Sequence, residues 1–175
     1  MRRAILYAAL TYAACFPLDA HAAEPDVARE NELKAAYVFN FAKFIEWPPT
    51  TPPDSLTICV VDAAGVRTAL AASTADKRIA ARRIVVRALE ASDPAAGCDV
   101  IYLDAHSVAA MKRLSEGANS HSLTVSDAPG FTSLGGMIQM FSEGNRIRFN
   151  INAGNARRAG LKISSGLLQL ASKVE

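Results

Sequence analysis

Few residues of this chain have the types and spacing that catalysis or metal binding requires. The two histidines that follow residue 22, His106 and His121, stand fifteen positions apart, and the sequence has no HxxxH or CxxC motif. A tight zinc-type site needs such closely spaced ligands. No GxSxG or comparable signature surrounds Ser126, Ser133 or His121, so no candidate nucleophile is paired with a base. We therefore expect a protein that is not an enzyme and that uses no metal or cofactor.

The densest pattern of polar side chains lies near the C-terminal end, in two strand-like runs. Residues 146–152 alternate strictly between polar and apolar side chains, and residues 137–141 precede them after two glycines. The link 142–145 contains Gly144 and Asn145, which tolerate positive φ, so the pattern predicts an antiparallel hairpin with a four-residue loop. Its polar face is either ordinary solvated sheet or a partner-binding surface. That face is predicted to carry Gln139, Arg148 and Asn150.

Residues 1–22 have the three zones of a secretory signal peptide. Arg2 and Arg3 come first, an apolar run from Ala4 to Phe16 follows, and Ala20-His21-Ala22 forms a small-residue cleavage site. The apolar run is too short to span a bilayer as a permanent helix. We predict cleavage after Ala22 and a mature protein in the periplasm.

Two cysteines, Cys59 and Cys98, follow this signal segment. In an oxidising compartment a lone pair of cysteines usually forms a disulfide, although two separate buried thiols are an alternative. A third cysteine, Cys15, lies inside the signal segment, where lipid attachment would anchor the protein. Tyr12 argues against that alternative, because a lipobox has an aliphatic residue at this position.

Composition is that of an ordinary globular protein. Half of the 175 residues are hydrophobic, so a single domain can bury a core without metals or many disulfides. Lys and Arg total 19 against 17 Asp and Glu, which gives a formal net charge of +2. Such a small charge creates no long-range field for a polyanion, and we expect no nucleic-acid binding.

The clearest helix pattern runs from about residue 31 to 46, after a short polar leader at 24–29. Pro48 and Pro49 must end this helix by Trp47, because proline cannot continue a helix and restricts the residue before it. Phe39 and Trp47 fall outside the apolar stripe and are the predicted exposed aromatic residues. The stripe, at spacings of three and four, consists of Leu33, Ala36, Tyr37, Asn40, Phe41 and Phe44.

Strand and helix patterns alternate along the rest of the chain. This order predicts an α/β fold in which a mixed sheet of about five or six strands is flanked by helices in Rossmann-like layers. We expect one domain over residues 23–175, with the C-terminal antiparallel hairpin as part of it. Besides the hairpin, the predicted strands are 56–61, 83–89, 99–103 and 123–126, and the further helices are 66–73, 107–116, 153–159 and 164–173.

Several segments, taken in order, resemble the YfiR family of periplasmic proteins. They are KAAYVFNFAKFIEWP at 34–48, LTVSDAPGF at 123–131, GGMI at 135–138, RIRFNIN at 146–152 and AGLKISSGLLQLA at 159–171. The resemblance covers nearly all of the chain after the signal segment. It implies that Cys59 and Cys98 match one family disulfide, whereas a second family disulfide, near the GlyGlyMet strand, has no cysteines here.

The same resemblance implies a regulatory function. Such a protein binds the periplasmic sensor domain of an inner-membrane diguanylate cyclase and represses it, which lowers cyclic-di-GMP and biofilm formation. An outer-membrane lipoprotein related to peptidoglycan-binding proteins relieves the repression. Whether the protein forms a homodimer is left open.

A rival interpretation is a periplasmic protein that binds a small ligand. Its pocket would lie between the helix at 33–46 and the strand ends, with aromatic residues as its walls. In the regulatory interpretation, the polar face of the hairpin and the tail after it form the predicted repressor surface. The small-ligand interpretation does not include this surface.

Overall fold

An eight-stranded mixed β-sheet organises the chain in the computed structural model, which describes residues 24–49, 53–111, 121–144 and 146–175. The helices are α1 (Glu24–Lys43), α2 (Ala64–Thr74), a 3-10 helix (Ala105–Ala110), α3 (Ala153–Arg158) and α4 (Ser165–Leu170). The strands are β1 (Ile45–Glu46), β2 (Ser55–Val61), β3 (Arg78–Ile79), β4 (Arg82–Leu89), β5 (Val100–Leu103), β6 (Leu123–Ser126), β7 (Ile138–Glu143), β8 (Arg146–Ile151), β9 (Lys162–Ile163) and β10 (Lys173–Val174).

The sheet has the order β10-β8-β7-β6-β5-β2-β4-β3. Its centre, from β4 to β7, is parallel, whereas β8 runs antiparallel to β7 and β3 antiparallel to β4. A separate antiparallel pair joins β1 to β9. The α/β class, the mixed sheet and the hairpin are confirmed. The number of strands exceeds the prediction, because strands of two residues such as β3 and β10 are too short to show any alternation.

Each face of the sheet is buried against its own hydrophobic cluster. The larger cluster lies under α1 and α2 and includes Leu56, Ile58 and Val60 of β2. The smaller cluster covers the opposite face and includes Cys59 and Val61 of the same strand. A parallel strand covered on both faces needs a continuous apolar sequence, which is why the run at 56–61 predicts β2 correctly.

Helix α1 differs from its prediction in both position and orientation. It begins at Glu24 and ends at Lys43, so the segment at 24–29 is helix and not a polar leader. Of the predicted stripe, Phe41 is buried and Tyr37 is half-buried, but Leu33, Ala36, Asn40 and Phe44 are exposed. The buried side of α1 includes small residues, which let the helix approach its neighbours closely but contribute little to an apolar stripe in the sequence. The buried positions of α1 are Ala35, Val38, Phe39, Phe41 and Ala42.

The predicted stop before Pro48 is confirmed, but the last residues before it do not continue the helix. Ile45 and Glu46 form β1, and Ile45 is buried opposite Ile163. Trp47 is half-buried, and its indole N–H donates to the Ala42 carbonyl at 3.1 Å. Phe39 is buried as well, so neither aromatic residue is the freely exposed side chain that the sequence predicted.

The remaining elements agree with the predictions to different degrees. Strands β2, β4, β5 and β6 and helices α2 and α3 are found within one or two residues of the predicted bounds. The helix predicted at 107–116 is represented by the 3-10 helix, and its residues 112–116 lie outside the described residues, as does the signal segment. The helix predicted at 164–173 is shorter, because β10 forms at Lys173. Within the described ranges, no helix is long and apolar enough to cross a membrane.

Candidate partner-binding surface

The hairpin of β7 and β8 places the three predicted site residues on one face of the sheet. Gln139 lies directly opposite Asn150, and Arg148 lies opposite Phe141. The strands end at Glu143 and Arg146, so the connection is two residues long and not four. Gly144 has a φ of 59°, which supplies the left-handed conformation that such a tight turn requires. The prediction for Asn145 concerns a residue outside the described ranges.

The three side chains differ in exposure, which corrects the prediction of a uniformly wet face. The Arg148 side chain is 48% exposed, and Asn150 is half-buried. Gln139 is only 9% exposed. Its strand is interior to the sheet, with Asn150 on one side and the fully buried Ser126 on the other. Alternation in the sequence gives the face on which a residue lies, but it does not show how many strands flank it.

Arg148 carries an accessible positive charge on this face. Its Nε donates to Glu143 Oε2 at 3.1 Å, and both side chains are largely in solvent. An exposed ion pair of this kind contributes little to stability, so the guanidinium group remains available to a partner.

A groove runs between α1 and β8 beside Arg148, with a cavity volume of about 410 Å³. Two exposed leucines line it, Leu33 of α1, which is 41% exposed, and Leu170 of α4, which is 65% exposed. We call this feature the hairpin groove. It is lined by Leu33, Tyr37, Arg146, Ile147, Arg148, Phe149 and Leu170.

Sequence reasoning missed the two leucines of the hairpin groove. The apolar stripe predicted for α1 includes Leu33, and the helix predicted at 164–173 includes Leu170. Periodicity identifies an apolar face, but it does not show whether anything covers that face.

On the outer side of β8, beside the groove, the outward carbonyls accept hydrogen bonds. The Tyr37 hydroxyl donates to the Ile147 carbonyl at 3.0 Å. The N–H of Ser172 donates to the Phe149 carbonyl, and that of Glu175 to the Ile151 carbonyl, each at 2.8 Å. These bonds fix the tail after α4 along the hairpin.

Aromatic rings support the groove from below. The centroids of Phe41 and Phe149 are 5.0 Å apart, and Tyr37 lies 5.8 Å from Phe41 and 6.3 Å from Phe149. Such edge and tilted contacts stabilise beyond simple burial. Of the aromatic walls predicted for a small-ligand pocket, Tyr37 and Phe149 line the groove, whereas Phe41 is core.

A polar cluster fixes α1 to the loop after β6. Lys34 Nζ lies 2.5 Å from Asp127 Oδ2 and 2.8 Å from Glu30 Oε1. Burial acts to lower the pKa of Lys34, but its hydrogen bonds and the charges of Asp127 and Glu30 outweigh burial and raise that pKa. Below this cluster, burial raises the pKa of Tyr102, and the charge of Asp127 raises it further. Lys34 and Tyr102 therefore stay protonated at neutral pH, and their roles are structural.

A family model described as YfiR/HmsC-like matches residues 31–172. The chain belongs to the YfiR/HmsC-like family. Members of this family are known as regulators of diguanylate cyclases and are generally not enzymes. The resemblance found in the sequence is thereby confirmed at the level of the family.

Solved structures show the same fold at low sequence identity. A conserved domain protein from Vibrio cholerae O1 biovar El Tor has a TM-score of 0.57 and 16% identity, over 81% of this chain and 60% of its own. An ABC domain in complex with L-Trp from Streptococcus pneumonia has a TM-score of 0.55 and 13% identity, over 81% of this chain and 62% of its own. The chain thus spans about three fifths of each structure. The comparison with curated proteins gives no match.

The disulfide of this YfiR/HmsC-like chain is formed. Cys59 in β2 and Cys98 just before β5 are joined with an S–S distance of 2.01 Å and a Cα separation of 5.7 Å. The predicted pairing is confirmed, and the alternative of two separate thiols is wrong. Arg87 of β4 packs over the bond, since it donates to the Ala96 carbonyl at 2.7 Å and lies 3.1 Å from Cys98 Sγ.

Next to the disulfide, Asp99 is a buried carboxyl group. Burial raises the pKa of Asp99, while the N–H of Thr57, at 2.7 Å from Oδ2, and the charge of Arg82 act in the opposite direction. The Asp99 side chain links the start of β5 to β2, and this structural role explains its burial. In the described part of the chain, no three His, Cys, Asp or Glu side chains converge in a way that could hold a metal ion.

Proposed function

We propose that this YfiR/HmsC-like protein binds the periplasmic sensor domain of an inner-membrane diguanylate cyclase and represses it, which lowers cyclic-di-GMP and biofilm formation. The observation that carries the proposal is the hairpin groove, whose lining includes two exposed leucines and Arg148. Protein-binding sites combine an apolar centre with arginine in this way.

The composition of the groove favours a protein-binding surface over an ordinary solvated sheet face. Leu33 and Leu170 belong to different helices, and both leave a large apolar group in water beside the aromatic ring of Tyr37. Exposed apolar groups that gather at one place mark interaction sites more often than scattered ones do. A partner that covers them gains hydrophobic free energy and finds in Arg148 a charge that sets orientation.

Among the predicted contact residues, we propose Arg148 and Asn150 as direct contacts. Gln139 lies beside Asn150 in the sheet and, being buried, supports that side chain from the neighbouring strand. The contacts would extend from Arg148 over Leu170 into the tail after α4.

Repression of this kind needs no catalytic residue. A protein that binds the inactive form of the cyclase more tightly than the active form shifts the population toward the inactive form by the difference in binding free energy. Relief follows when another protein competes for this one. An outer-membrane peptidoglycan-binding lipoprotein is the proposed competitor, and a homodimer of the repressor is compatible with either state.

The proposed place of action is the periplasm. The signal peptide predicted at 1–22 directs export, and the Cys59–Cys98 disulfide is of the kind that forms in an oxidising compartment. N-terminal sequencing of the exported protein tests the signal peptide, since the mature chain should begin at Ala23. A lipid-modified Cys15 in a membrane fraction would contradict this expectation.

The test of repression uses cellular cyclic-di-GMP in a strain that lacks the chromosomal copy. Wild-type protein should lower cyclic-di-GMP, and deletion of the target cyclase in the same strain should abolish the effect. Arg148→Glu and Leu170→Asp should each release the cyclase while the protein stays folded and exported. Arg157→Glu, an exposed change on α3 outside the groove, is the matched control and should repress normally. Full repression by both groove variants would place the binding surface elsewhere.

A second candidate function is small-ligand binding in the same groove. Its volume of about 410 Å³ falls within the usual range for ligand sites, and Tyr37 and Phe149 supply aromatic contact. If this function holds, a small-molecule extract of the periplasm should raise the melting temperature of the wild type but not of Tyr37→Ala. Equal shifts for the two proteins would reject it.

A further inference from the structure

Strand β4 has an open edge at the far side of the sheet from the hairpin groove. On its inner side β4 pairs with β2 along Arg83–Leu89. On its outer side the two-residue strand β3 pairs only with Arg82 and Arg83. In the described part of the chain no other strand lies along this side, so β4 is open from Ile84 onward.

The direction of the backbone groups follows from one hydrogen bond. The N–H of Arg83 donates to the Asp54 carbonyl at 3.0 Å, so the backbone of Arg83 points toward β2. In a parallel pair, alternate residues direct both N–H and C=O to the same side. Val85 and Arg87 therefore point inward as well. Ile84, Val86 and Ala88 direct their N–H and C=O groups to the open side.

Only an extended polypeptide complements this arrangement. It offers N–H and C=O groups at every second residue, about 6.7 Å apart, which matches the spacing along β4. An open edge of this kind is a template to which a strand from another chain can add. We call the segment Ile84–Ala88 the β4 edge.

The side chains around the β4 edge are basic and apolar. Strand β4 contains Arg82, Arg83 and Arg87 and no acidic residue. Within the described ranges Arg83 has no ion-pair partner, and Val85 beside it is 37% exposed. An acidic side chain opposite Val85 would lie diagonally between Arg83 and Arg87. Cross-strand pairs of opposite charge stabilise a sheet, whereas like charges destabilise it.

The same charges disfavour a second copy of this chain at the β4 edge. Antiparallel self-pairing centred on Val85 puts Arg83 directly opposite Arg87 of the other copy. Centring on Val86 moves these arginines to diagonal positions, still close together. Both registers gather three arginines from each copy with no acidic group in the strand to balance them.

We propose that the β4 edge binds an extended acidic segment of a protein partner by antiparallel strand addition, in which the residues between the acidic side chains direct their N–H groups toward β4. The partner segment would alternate acidic residues, facing Arg83 and Arg87, with β-branched or apolar residues on the opposite face. Strand β3 blocks one end of the β4 edge, and β4 itself ends at Leu89. The added segment is therefore limited to about five residues. This site is separate from the hairpin groove and does not depend on the function proposed above.

The test uses three end-capped peptides and the ¹⁵N-labelled protein. Thr-Glu-Val-Glu-Thr reads nearly the same in either strand direction and places both glutamates on the arginine face. Thr-Lys-Val-Lys-Thr reverses the charge, and Thr-Glu-Pro-Glu-Thr keeps the charge but removes the central N–H. The glutamate peptide should shift the amide resonances of Ile84, Val86 and Ala88. The other two peptides should bind at least about fivefold more weakly.

Two variants separate charge from backbone pairing. Arg83→Glu should weaken the glutamate peptide roughly fivefold and strengthen the lysine peptide. Ala88→Pro removes one outward N–H from an exposed position and should weaken the glutamate peptide by a similar factor, while Ala88→Ser, which keeps the N–H, should not. Circular dichroism and melting temperature verify that each variant is folded.

Three results would overturn the proposal. Equal binding of the glutamate and lysine peptides would remove the acidic preference, and equal binding of the proline peptide would show charge attraction without strand addition. Concentration-dependent dimerisation that Ala88→Pro abolishes would assign the β4 edge to a second copy of the chain. None of these measurements involves the cyclase, so their outcome is independent of the repression assay.

Discussion

The two edges of the sheet are finished in opposite ways. At the β8 edge, the outward carbonyls of Ile147, Phe149 and Ile151 accept hydrogen bonds from Tyr37 and from the tail. At the β4 edge, the outward groups of Ile84, Val86 and Ala88 meet no described strand. At a capped edge only the side chains can contact a partner. At an open edge the backbone N–H and C=O groups can form hydrogen bonds with a partner as well.

This difference predicts two kinds of recognition in one small protein. The β8 edge offers Arg148 and exposed leucines, which suit a folded surface. The β4 edge offers backbone groups beside arginines, which suit an extended segment. The strand order places five inter-strand steps between them, roughly 24 Å. A single partner would have to span this distance to contact both edges.

The largest expected effect comes from removing the support beneath the capped edge. Phe149→Ala empties a buried position that contacts Phe41 and Tyr37, and we expect a loss of about 3 to 5 kcal/mol in the free energy of unfolding. Urea denaturation measures it. Repression should be lost only in proportion to unfolding. A folded Phe149→Ala protein of near-normal stability would show that the aromatic cluster does not support this edge.

The disulfide tests the support beneath the open edge. Cys59 and Cys98 are 39 residues apart in sequence, and opening a loop of this size removes up to about 4 kcal/mol. We expect the Cys59→Ser, Cys98→Ser double variant to lose about 2 to 4 kcal/mol in urea denaturation. Urea denaturation of the wild type in the presence of reductant is the control and should approach the same stability. A loss below about 1 kcal/mol would argue against this role.

A smaller change should make the capped edge resemble the open one. Tyr37→Phe keeps the ring in the aromatic cluster but removes the donor to the Ile147 carbonyl. We expect a cost of about 1 kcal/mol, since one hydrogen bond is lost and the carbonyl can then turn to water. Amide exchange in the hairpin should rise at the same time. Unchanged stability and exchange would mean that this hydroxyl does not hold the edge.

The sequence predicts the interior of this sheet better than its edges. Apolar runs identify β2 and β5 because both faces of these strands are covered, and strict alternation identifies β8. Strands of two residues, β3 and β10, give no periodic signal, yet they decide which edge is open and which is closed. Gln139 was expected in solvent because alternation specifies its face correctly but contains no information about the neighbouring Ser126.

The orientation of α1 could not be predicted for a related reason. Its buried side includes Ala35 and Ala42, small residues whose burial depends on how closely α2 and the sheet approach. Leu33 is more hydrophobic than either alanine, so hydrophobicity alone predicts that Leu33 is buried. Its exposure in the hairpin groove is a property of the assembled fold.

The smallest effects on stability should separate the two edges most clearly. Arg148→Glu and Arg83→Glu are both charge reversals at exposed arginines, and each should change the free energy of unfolding by no more than about 0.5 kcal/mol, as surface substitutions usually do. Arg148→Glu should raise cyclic-di-GMP in cells and leave binding of the acidic peptide intact. Arg83→Glu should weaken binding of that peptide and leave the amide resonances of the hairpin residues unchanged. The double variant should combine the two losses additively, because the sites are far apart and share no contacts. If Arg83→Glu alone releases the cyclase as fully as Arg148→Glu does, the two edges serve one partner, and the acidic segment should then be sought in the cyclase sensor domain.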